Sequence, residues 1–61
     1  MEESFIYWKI EFDSVLEGFG YLKFNQYMEQ VGLFTEKGDE VTIGVSYHQI
    51  EFENVKPTWD A

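Results

Sequence analysis

Hydrophobic and polar side chains alternate most clearly in residues 5–12, near the start of the chain. The apolar side chains at every second position there are Ile6, Trp8, Ile10 and Phe12. Successive side chains of an extended strand point to opposite faces, so this spacing predicts a strand with one face turned to a core. Residues 13–18 then break the alternation and end in Gly18, and an aromatic-rich run resumes at residues 19–24. This order predicts a first β-hairpin with a loop longer than a tight turn.

Residues 25–34 fit two patterns. Read as a strand, the segment places Tyr27, Val31 and Leu33 on one face. Read as a helix, positions 24, 27, 28 and 31 form an apolar stripe that Gly32 would end. We favour the strand because the neighbouring segments are strands and a helix of about two turns is costly to nucleate. A short helix near residues 24–31 stays open as the alternative.

The second half of the chain predicts a turn and further strands. Residues 35–40 are mostly polar and contain Gly38, which can adopt the positive φ of a tight turn. Alternation resumes afterwards at Val41, Ile43 and Val45, and again at Ile50 and Phe52. Pro57 lacks a backbone donor, so the end of the chain is not expected to form a central strand.

These elements predict a mainly β fold, a small antiparallel sheet or partly open barrel of four or five strands, in a single domain spanning residues 1–61. The core face is expected to carry Ile6, Trp8, Ile10, Phe12, Val41, Ile43 and Phe52. The opposite face then carries Phe5, Tyr7, Phe19 and Tyr21, either exposed as an interaction surface or covered by a second layer. Trp59 is expected either to close an open barrel end or to dock on a neighbouring subunit.

Composition explains how so short a chain can fold. It has no cysteine and a single histidine, which leaves no disulfide and no Cys/His zinc framework. Two Trp, four Tyr and six Phe residues supply packing instead, each ring burying roughly 150–250 Å². Burial and chain entropy nearly cancel in a scaffold of this size, so a partner or a homo-oligomer is expected to add stability.

Charge narrows the range of partners. Twelve acidic residues against four basic ones give a formal net charge of −8, which repels nucleic-acid phosphates and anionic lipids. No apolar run approaches the roughly 20 residues of a transmembrane helix, and the acidic start is unlike a secretion signal. We therefore expect a cytoplasmic protein that binds neither nucleic acid nor membranes directly.

The residues that usually carry catalysis are scarce. His48 is the single histidine, and Ser46, two positions away, cannot meet it along an extended strand. Glu36, Asp39 and Glu40 lack the ligand spacing of a calcium loop. The sequence therefore predicts no enzyme, no metal site and no cofactor, with His48 a polar residue at a strand end or turn.

Acidic residues alternate on the outward faces of the predicted strands. Alternate positions on a strand lie about 6.6–6.8 Å apart, close to the spacing of phosphates along one DNA strand. The sequence thus predicts a non-enzymatic protein-binding module, an inhibitor of the DNA-mimic type that blocks a basic, nucleic-acid-binding surface of a partner. A structural role through homo-oligomerisation is the alternative, and an acidic surface that only aids solubility is the simplest explanation. The predicted partner-binding residues are the acids Glu11, Asp13, Glu51 and Glu53, with Tyr7 and Tyr21 as aromatic anchors.

Short features spread over residues 7–61 resemble small accessory proteins of tailed bacteriophages. They are Tyr21-Leu22-Lys23, Val31-Gly32-Leu33, Glu36-Lys37-Gly38-Asp39-Glu40-Val41, Tyr47 and the ending Pro57-Thr58-Trp59-Asp60-Ala61. The resemblance implies a phage origin, which would place the protein in the host cytoplasm. It also implies one of two roles, inhibition of a host defence or DNA-handling protein or a minor part of the virion, and it implies no site residue.

Overall fold

The protein forms one open, four-stranded antiparallel sheet in a computed structural model that describes residues 4–13, 16, 18–51 and 53–59. The strands are β1 (Ile6–Phe12), β2 (Phe19–Phe24), β3 (Gln30–Thr35) and β4 (Tyr47–Gln49), in the spatial order β3-β2-β1-β4. The prediction of a mainly β fold is confirmed, and the arrangement is an open sheet, not a barrel. The described ranges contain no helix, and so none that could cross a membrane.

The predicted first hairpin is confirmed. β1 pairs with β2 from Ile6 opposite Phe24 to Glu11 opposite Phe19. The Phe12 N–H donates to the Gly18 carbonyl at 2.9 Å, and Gly18 has a φ of 86°. Glycine adopts this left-handed conformation without the steric cost that a side chain would bring. Gly18 therefore ends the loop and lets β2 turn back along β1.

Residues 25–29, where strand and helix were both considered, form the loop of a second hairpin. β2 ends at Phe24 and β3 begins at Gln30, so the strand is shorter than predicted and the helix alternative is wrong. The Asn25 side-chain oxygen accepts from the N–H groups of Tyr27 at 2.9 Å and Glu29 at 3.0 Å. An asparagine that satisfies nearby N–H groups gives the backbone an alternative to the helical ladder, which explains the loop.

The predicted turn after β3 is confirmed. Gly38 has a φ of 97° and donates its N–H to the Thr35 carbonyl at 3.0 Å. The Thr35 hydroxyl accepts from the Asp39 N–H at 3.1 Å, and the Thr35 N–H donates to the Asp39 carbonyl at 2.8 Å. Thr35 and Gly38 thus determine where β3 ends.

The strand predicted from the alternation of Val41, Ile43 and Val45 is not present. Beyond the turn, pairing with β3 is limited to a bridge between Glu40 and Phe34 and a bond from the Val41 N–H to the Leu33 carbonyl. The chain must leave β3 here because β4 lies at the opposite edge of the sheet, beside β1. Val41 and Val45 still pack on the core, but Ile43 is 58% exposed and its predicted core position is wrong.

The last strand lies earlier than the alternation at residues 50–53 indicated. β4 pairs Tyr47, His48 and Gln49 with Phe12, Glu11 and Ile10. The N–H groups of Ile50 and Glu51 then both donate to the Lys9 carbonyl, at 3.0 and 3.2 Å. Two residues opposite one partner form a bulge, and a bulge ends regular alternation. Phe52, another predicted core residue, lies outside the described residues.

The main core lies on one face of the sheet. Ile10, Phe12 and Leu22 are buried there, as predicted for the two β1 residues. Half-buried side chains surround them, namely Trp8, Leu16, Phe24, Leu33, Val41, Val45 and Tyr47. The Phe12 ring lies directly on Gly20, where a Cβ atom would come within 2.6 Å of it. This close approach explains a glycine in the middle of β2.

The opposite face, called the aromatic face below, carries Tyr7, Tyr21 and Phe34. The register places Tyr7 and Tyr21 on the same side because Lys9, two positions after Tyr7, pairs with Tyr21. Trp59 packs on all three rings, with ring centroids 5.6 Å from Tyr7, 6.1 Å from Tyr21 and 5.4 Å from Phe34. Trp59 therefore covers the second face of its own sheet, and Pro57, two positions earlier, is fully buried.

Candidate functional site: a histidine between two carboxylates

His48 lies between two acidic side chains on the aromatic face. Its Nδ1 atom is 2.8 Å from Asp13 Oδ1 and 3.0 Å from Asp13 Oδ2, and its Nε2 atom is 3.2 Å from Glu11 Oε1. The pairing of β4 with β1 produces this geometry because His48 lies directly opposite Glu11. The Asp13 N–H also donates to the Ser46 carbonyl at 2.8 Å, which holds Asp13 beside β4. This group of three side chains is called the His48 bridge below.

Both ring nitrogens of His48 face carboxylate oxygens. A neutral imidazole carries one N–H donor, whereas the protonated ring carries two. Two simultaneous hydrogen bonds to carboxylates therefore require the imidazolium form. The His48 side chain is 52% exposed, so solvent protons reach it freely.

The surroundings of His48 favour its protonated form. The side-chain hydrogen bond that His48 donates to Asp13 raises the pKa of His48 above the ordinary value of 6.5. Partial desolvation opposes this rise, while the negative charges of Asp13 and Glu11 and the hydrogen bond to Glu11 add to it. The net direction of the pKa is upward, in agreement with the need for two donors.

An aromatic ring lies on the other side of Glu11. Glu11 pairs with Phe19 of β2 as well as with His48 of β4, so three strands contribute to one row. The Lys9 ammonium lies 4.9 Å from the centroid of the Phe19 ring, a cation–π distance. Phe19 is partly exposed. The row therefore combines an apolar ring, a carboxylate and an imidazole at the surface.

Further carboxylates lie at the same end of the sheet. The turn after β3 follows Thr35, and the register aligns Thr35 with Gly20 and Gly20 with Ile10 of β1. The turn therefore lies at the same end of the sheet as the end of β1. The two are separated across the sheet by about two strand spacings, roughly 10 Å. The acidic end, as defined here, comprises Glu11, Asp13, Glu36, Asp39 and Glu40.

The predicted acids are only partly brought together. Glu11 and Asp13 converge on one imidazole and do not stand apart as two separate charges. Glu51 and Glu53 are exposed and follow β4 along the edge of β1, toward the start of that strand. A contribution of Glu51 and Glu53 to partner binding stays a prediction.

The two predicted aromatic anchors are buried. Tyr7 is 4% exposed and Tyr21 is 9% exposed. Their rings meet edge to face with centroids 6.5 Å apart, beneath Trp59. Of the two expectations for this face, the covered one holds for Tyr7 and Tyr21, because Trp59 packs on both rings. Phe5 and Phe19, on the same face, are exposed. The surface ring nearest to the acids is Phe19 instead.

A lysine completes the cover of the aromatic face. The Lys23 ammonium lies 4.0 Å from the ring centroid of Phe5, 5.9 Å from Tyr7 and 5.7 Å from Phe34. These distances are typical of cation–π contacts, in which the lysine stem covers apolar surface while its charge stays hydrated. Two of the few positive charges, on Lys9 and Lys23, thus interact with rings of this face.

Exposed apolar side chains lie at the opposite end of the sheet, in the loop after β2 and at the start of β3. Tyr27 is 74% exposed, and Met28 and Val31 are about half exposed. Met28 has a φ of 63°, so its backbone is in the left-handed region. These three side chains, called the apolar tip below, lie beyond Phe24, which pairs with Ile6 at the start of β1. The apolar tip and the acidic end are therefore at opposite ends of the strands.

Among the residues that can be described, no group of three or more His, Asp or Glu side chains is arranged to hold a metal ion. The His48 bridge does not provide such a group because each carboxylate occupies a different ring nitrogen. Sequence reasoning missed the bridge, since Asp13 and His48 are 35 positions apart and meet only through long-range pairing. One signal was present: a single histidine in a chain with twelve acids has many potential partners.

No protein-family model, curated protein or solved structure matches this chain.

Proposed function

We propose that this domain is a non-enzymatic protein-binding module whose acidic end occupies a basic, nucleic-acid-binding surface of a partner protein and thereby inhibits it. The observation that carries the proposal is the strand register, which gathers Glu11 and Asp13 with the acids of the turn after β3 at one end of the sheet. Lys37 is the one lysine in that turn. The net negative charge at this end gives a directed negative potential.

Electrostatics also support a fast, salt-sensitive association. A formal net charge of −8 attracts a basic partner over about a Debye length, roughly 8–10 Å at moderate salt. Steering of this kind increases association rates more than it increases affinity. Phe19, partly exposed beside Glu11, is the apolar contact that would follow the first encounter. It replaces the buried Tyr7 and Tyr21 as the proposed anchor.

The direct test uses an acetylated, amidated hexa-arginine peptide as a simple basic probe. One variant carries Glu36→Gln, Asp39→Asn and Glu40→Gln at the acidic end. The matched control carries Glu29→Gln, Glu51→Gln and Glu53→Gln, which remove the same charge elsewhere. We expect the first variant to lose about fivefold or more in affinity at low salt, and clearly more than the control.

Two outcomes would contradict the proposal. Equal losses in both variants would mean that only the total charge matters and that no particular end is used. An affinity that barely changes between low and high salt would remove the electrostatic basis altogether. A physiological partner captured from a lysate should, in addition, be released by duplex DNA, because the two compete for one basic surface.

The apolar tip favours a second candidate, a structural protein that acts through homo-oligomerisation. Exposed apolar side chains grouped in one part of a surface commonly mark an interaction site, and Tyr27 is the most exposed side chain of the apolar tip. Light scattering distinguishes the two functions. A stable oligomer that is indifferent to salt and is lost in a Tyr27→Ser, Met28→Ser variant supports the structural role, whereas a monomer supports the inhibitor.

A further inference from the structure

We propose that the His48 bridge makes the charge of the acidic end depend on pH: loss of one proton from His48 releases Glu11 and strengthens binding to a basic partner. This inference rests on the proposed function and adds its regulation. It starts from the geometry, in which a single imidazole holds two carboxylates through its two nitrogens.

Deprotonation must break one of the two contacts. The neutral ring keeps one N–H, and its other nitrogen becomes a lone-pair acceptor that repels a carboxylate oxygen. Asp13 makes the shorter contact, at 2.8 Å, and approaches with both oxygens, whereas Glu11 is 3.2 Å away through one oxygen. The Nδ1–H form that keeps Asp13 is therefore the favoured neutral ring, and Glu11 is the side chain that is released.

The other charged groups near the bridge do not compensate for this change. Along β1, Lys9 is on the same face as Glu11, but its ammonium lies over the Phe19 ring. From β2, the neighbour of Glu11 is Phe19 itself, which carries no charge. From β4 and the segment before it, the residues flanking His48 are Ser46, Tyr47 and Gln49, none charged near neutral pH. Glu11 and Asp13 are thus the charged groups that contact the ring within the described part of the chain.

The consequence is a change in local charge. The bridge carries a net charge of −1 when His48 is protonated and −2 when it is neutral, from two carboxylates and one imidazole. The released Glu11 carboxylate lies beside Phe19, in the row where the partner is proposed to dock. Binding of a basic surface should therefore strengthen as the pH rises through the pKa of His48.

The first experiment follows the His48 ring by NMR during a pH titration of the full chain and four variants. We expect the wild-type ring to titrate above the ordinary value of 6.5. Asp13→Asn should lower the titration midpoint more than Glu11→Gln, and the double variant should lower it most. Glu29→Gln, at the other end of the sheet, is the matched control and should change nothing. The inference is overturned if the wild-type ring titrates at the ordinary value and Asp13→Asn leaves its midpoint unchanged.

The second experiment measures affinity for the hexa-arginine peptide at about pH 5.5 and about pH 8.5, at constant ionic strength. We expect wild-type affinity to increase about threefold to fivefold, the size of one added charge near the peptide in water. His48→Gln should show a clearly smaller increase, limited to the effect of the amino terminus, because glutamine does not titrate. Acetylation and amidation of the peptide remove its own terminal charges, and the variant corrects for the amino terminus of the protein.

The outcomes separate the inference from the function beneath it. Salt-sensitive binding with the same affinity at both pH values overturns the regulation and leaves the proposed function standing. An equal pH response in the wild type and in His48→Gln assigns the effect to another group and also overturns the regulation. No measurable binding of the peptide at either pH and at low salt overturns both.

Discussion

The two faces of the sheet are covered in different ways. The core face carries Ile10, Phe12 and Leu22, and the chain that leaves β3 for β4 adds Val41 and Val45 to it. The aromatic face is covered mainly by Trp59, near the end of the chain. Local alternation creates the first layer, whereas one distant residue completes the second. The comparison indicates that loss of the core face should unfold the domain, and loss of the aromatic cover should weaken it.

The largest effect is expected from Ile10→Ala on the core face. Ile10 is fully buried, and removing a buried isoleucine side chain costs about 2–5 kcal/mol. A core of this size rarely supplies more than about 3–5 kcal/mol, so the variant should be largely unfolded at room temperature. Circular dichroism and urea titration measure this. Ile43→Ala is the matched control, because Ile43 is mostly exposed and its loss should cost little. Equal destabilisation by both would contradict the core described here.

A smaller effect is expected from Trp59→Ala on the aromatic face. Trp59 is half-buried, so truncating it to alanine should cost about 2–4 kcal/mol of stability. Truncating a fully buried tryptophan costs more, at the upper end of the known range. Its buried Nε1–H has no hydrogen-bond partner among the described residues, which lowers the net value of burying the ring. Trp59→Phe keeps an aromatic cover without this donor and should recover much of the loss. A Trp59→Ala protein as stable as the wild type would show that the ring does not hold the second layer.

Gly38 connects the turn after β3 to this cover. A Cβ atom there would lie 3.0 Å from the Trp59 ring, and the φ of 97° disfavours any side chain. Gly38→Ala should therefore cost about 1–3 kcal/mol, measured by thermal or urea unfolding. Gly18 has a φ of 86°, but a Cβ atom there meets no atom of the described residues within 4 Å, so Gly18→Ala measures mainly the backbone cost. Gly44 has equally open surroundings among those residues and no positive φ. The expected order of loss is Gly38, Gly18, Gly44, and any other order would contradict the contact with Trp59.

The sequence predicted the local elements of this fold well and its long-range placements poorly. The alternation in β1 was sufficient to predict a strand, and the glycines at positions 18 and 38 were sufficient to predict two chain reversals. Strand periodicity and positive φ are properties of short segments, so both can be read locally. The alternation at Val41, Ile43 and Val45 was misleading because period two does not distinguish a paired strand from a loop that contacts the core twice. The covered state of Tyr7 and Tyr21 depends on Trp59, which is far away in the chain.

The candidate site shows the same limit. The sequence identified Glu11 and Asp13 as a pair, because they are alternate positions near the end of one strand. It could not identify His48 as their partner, since that contact depends on which edge of the sheet β4 joins. It also gave no sign that the turn acids lie at the same end, which follows from the register of three strands.

The smallest expected effect is the contribution of the His48 bridge to stability, and its sign follows from the direction of the pKa. Folding raises the pKa of His48, chiefly through the Asp13 hydrogen bond, so the folded state binds the proton more tightly than the unfolded state. The stabilisation is fully present below the unfolded pKa, near 6.5, and is lost as the pH rises through the higher folded pKa. Urea midpoints of the wild type relative to His48→Gln should therefore decrease between about pH 5.5 and about pH 8.5. The ring is exposed and screened by solvent, so the change should be smaller than the losses expected for Ile10→Ala, Trp59→Ala and Gly38→Ala. A difference between the two proteins that stays constant with pH, or increases, would mean that β4 is joined to β1 by its backbone pairing alone.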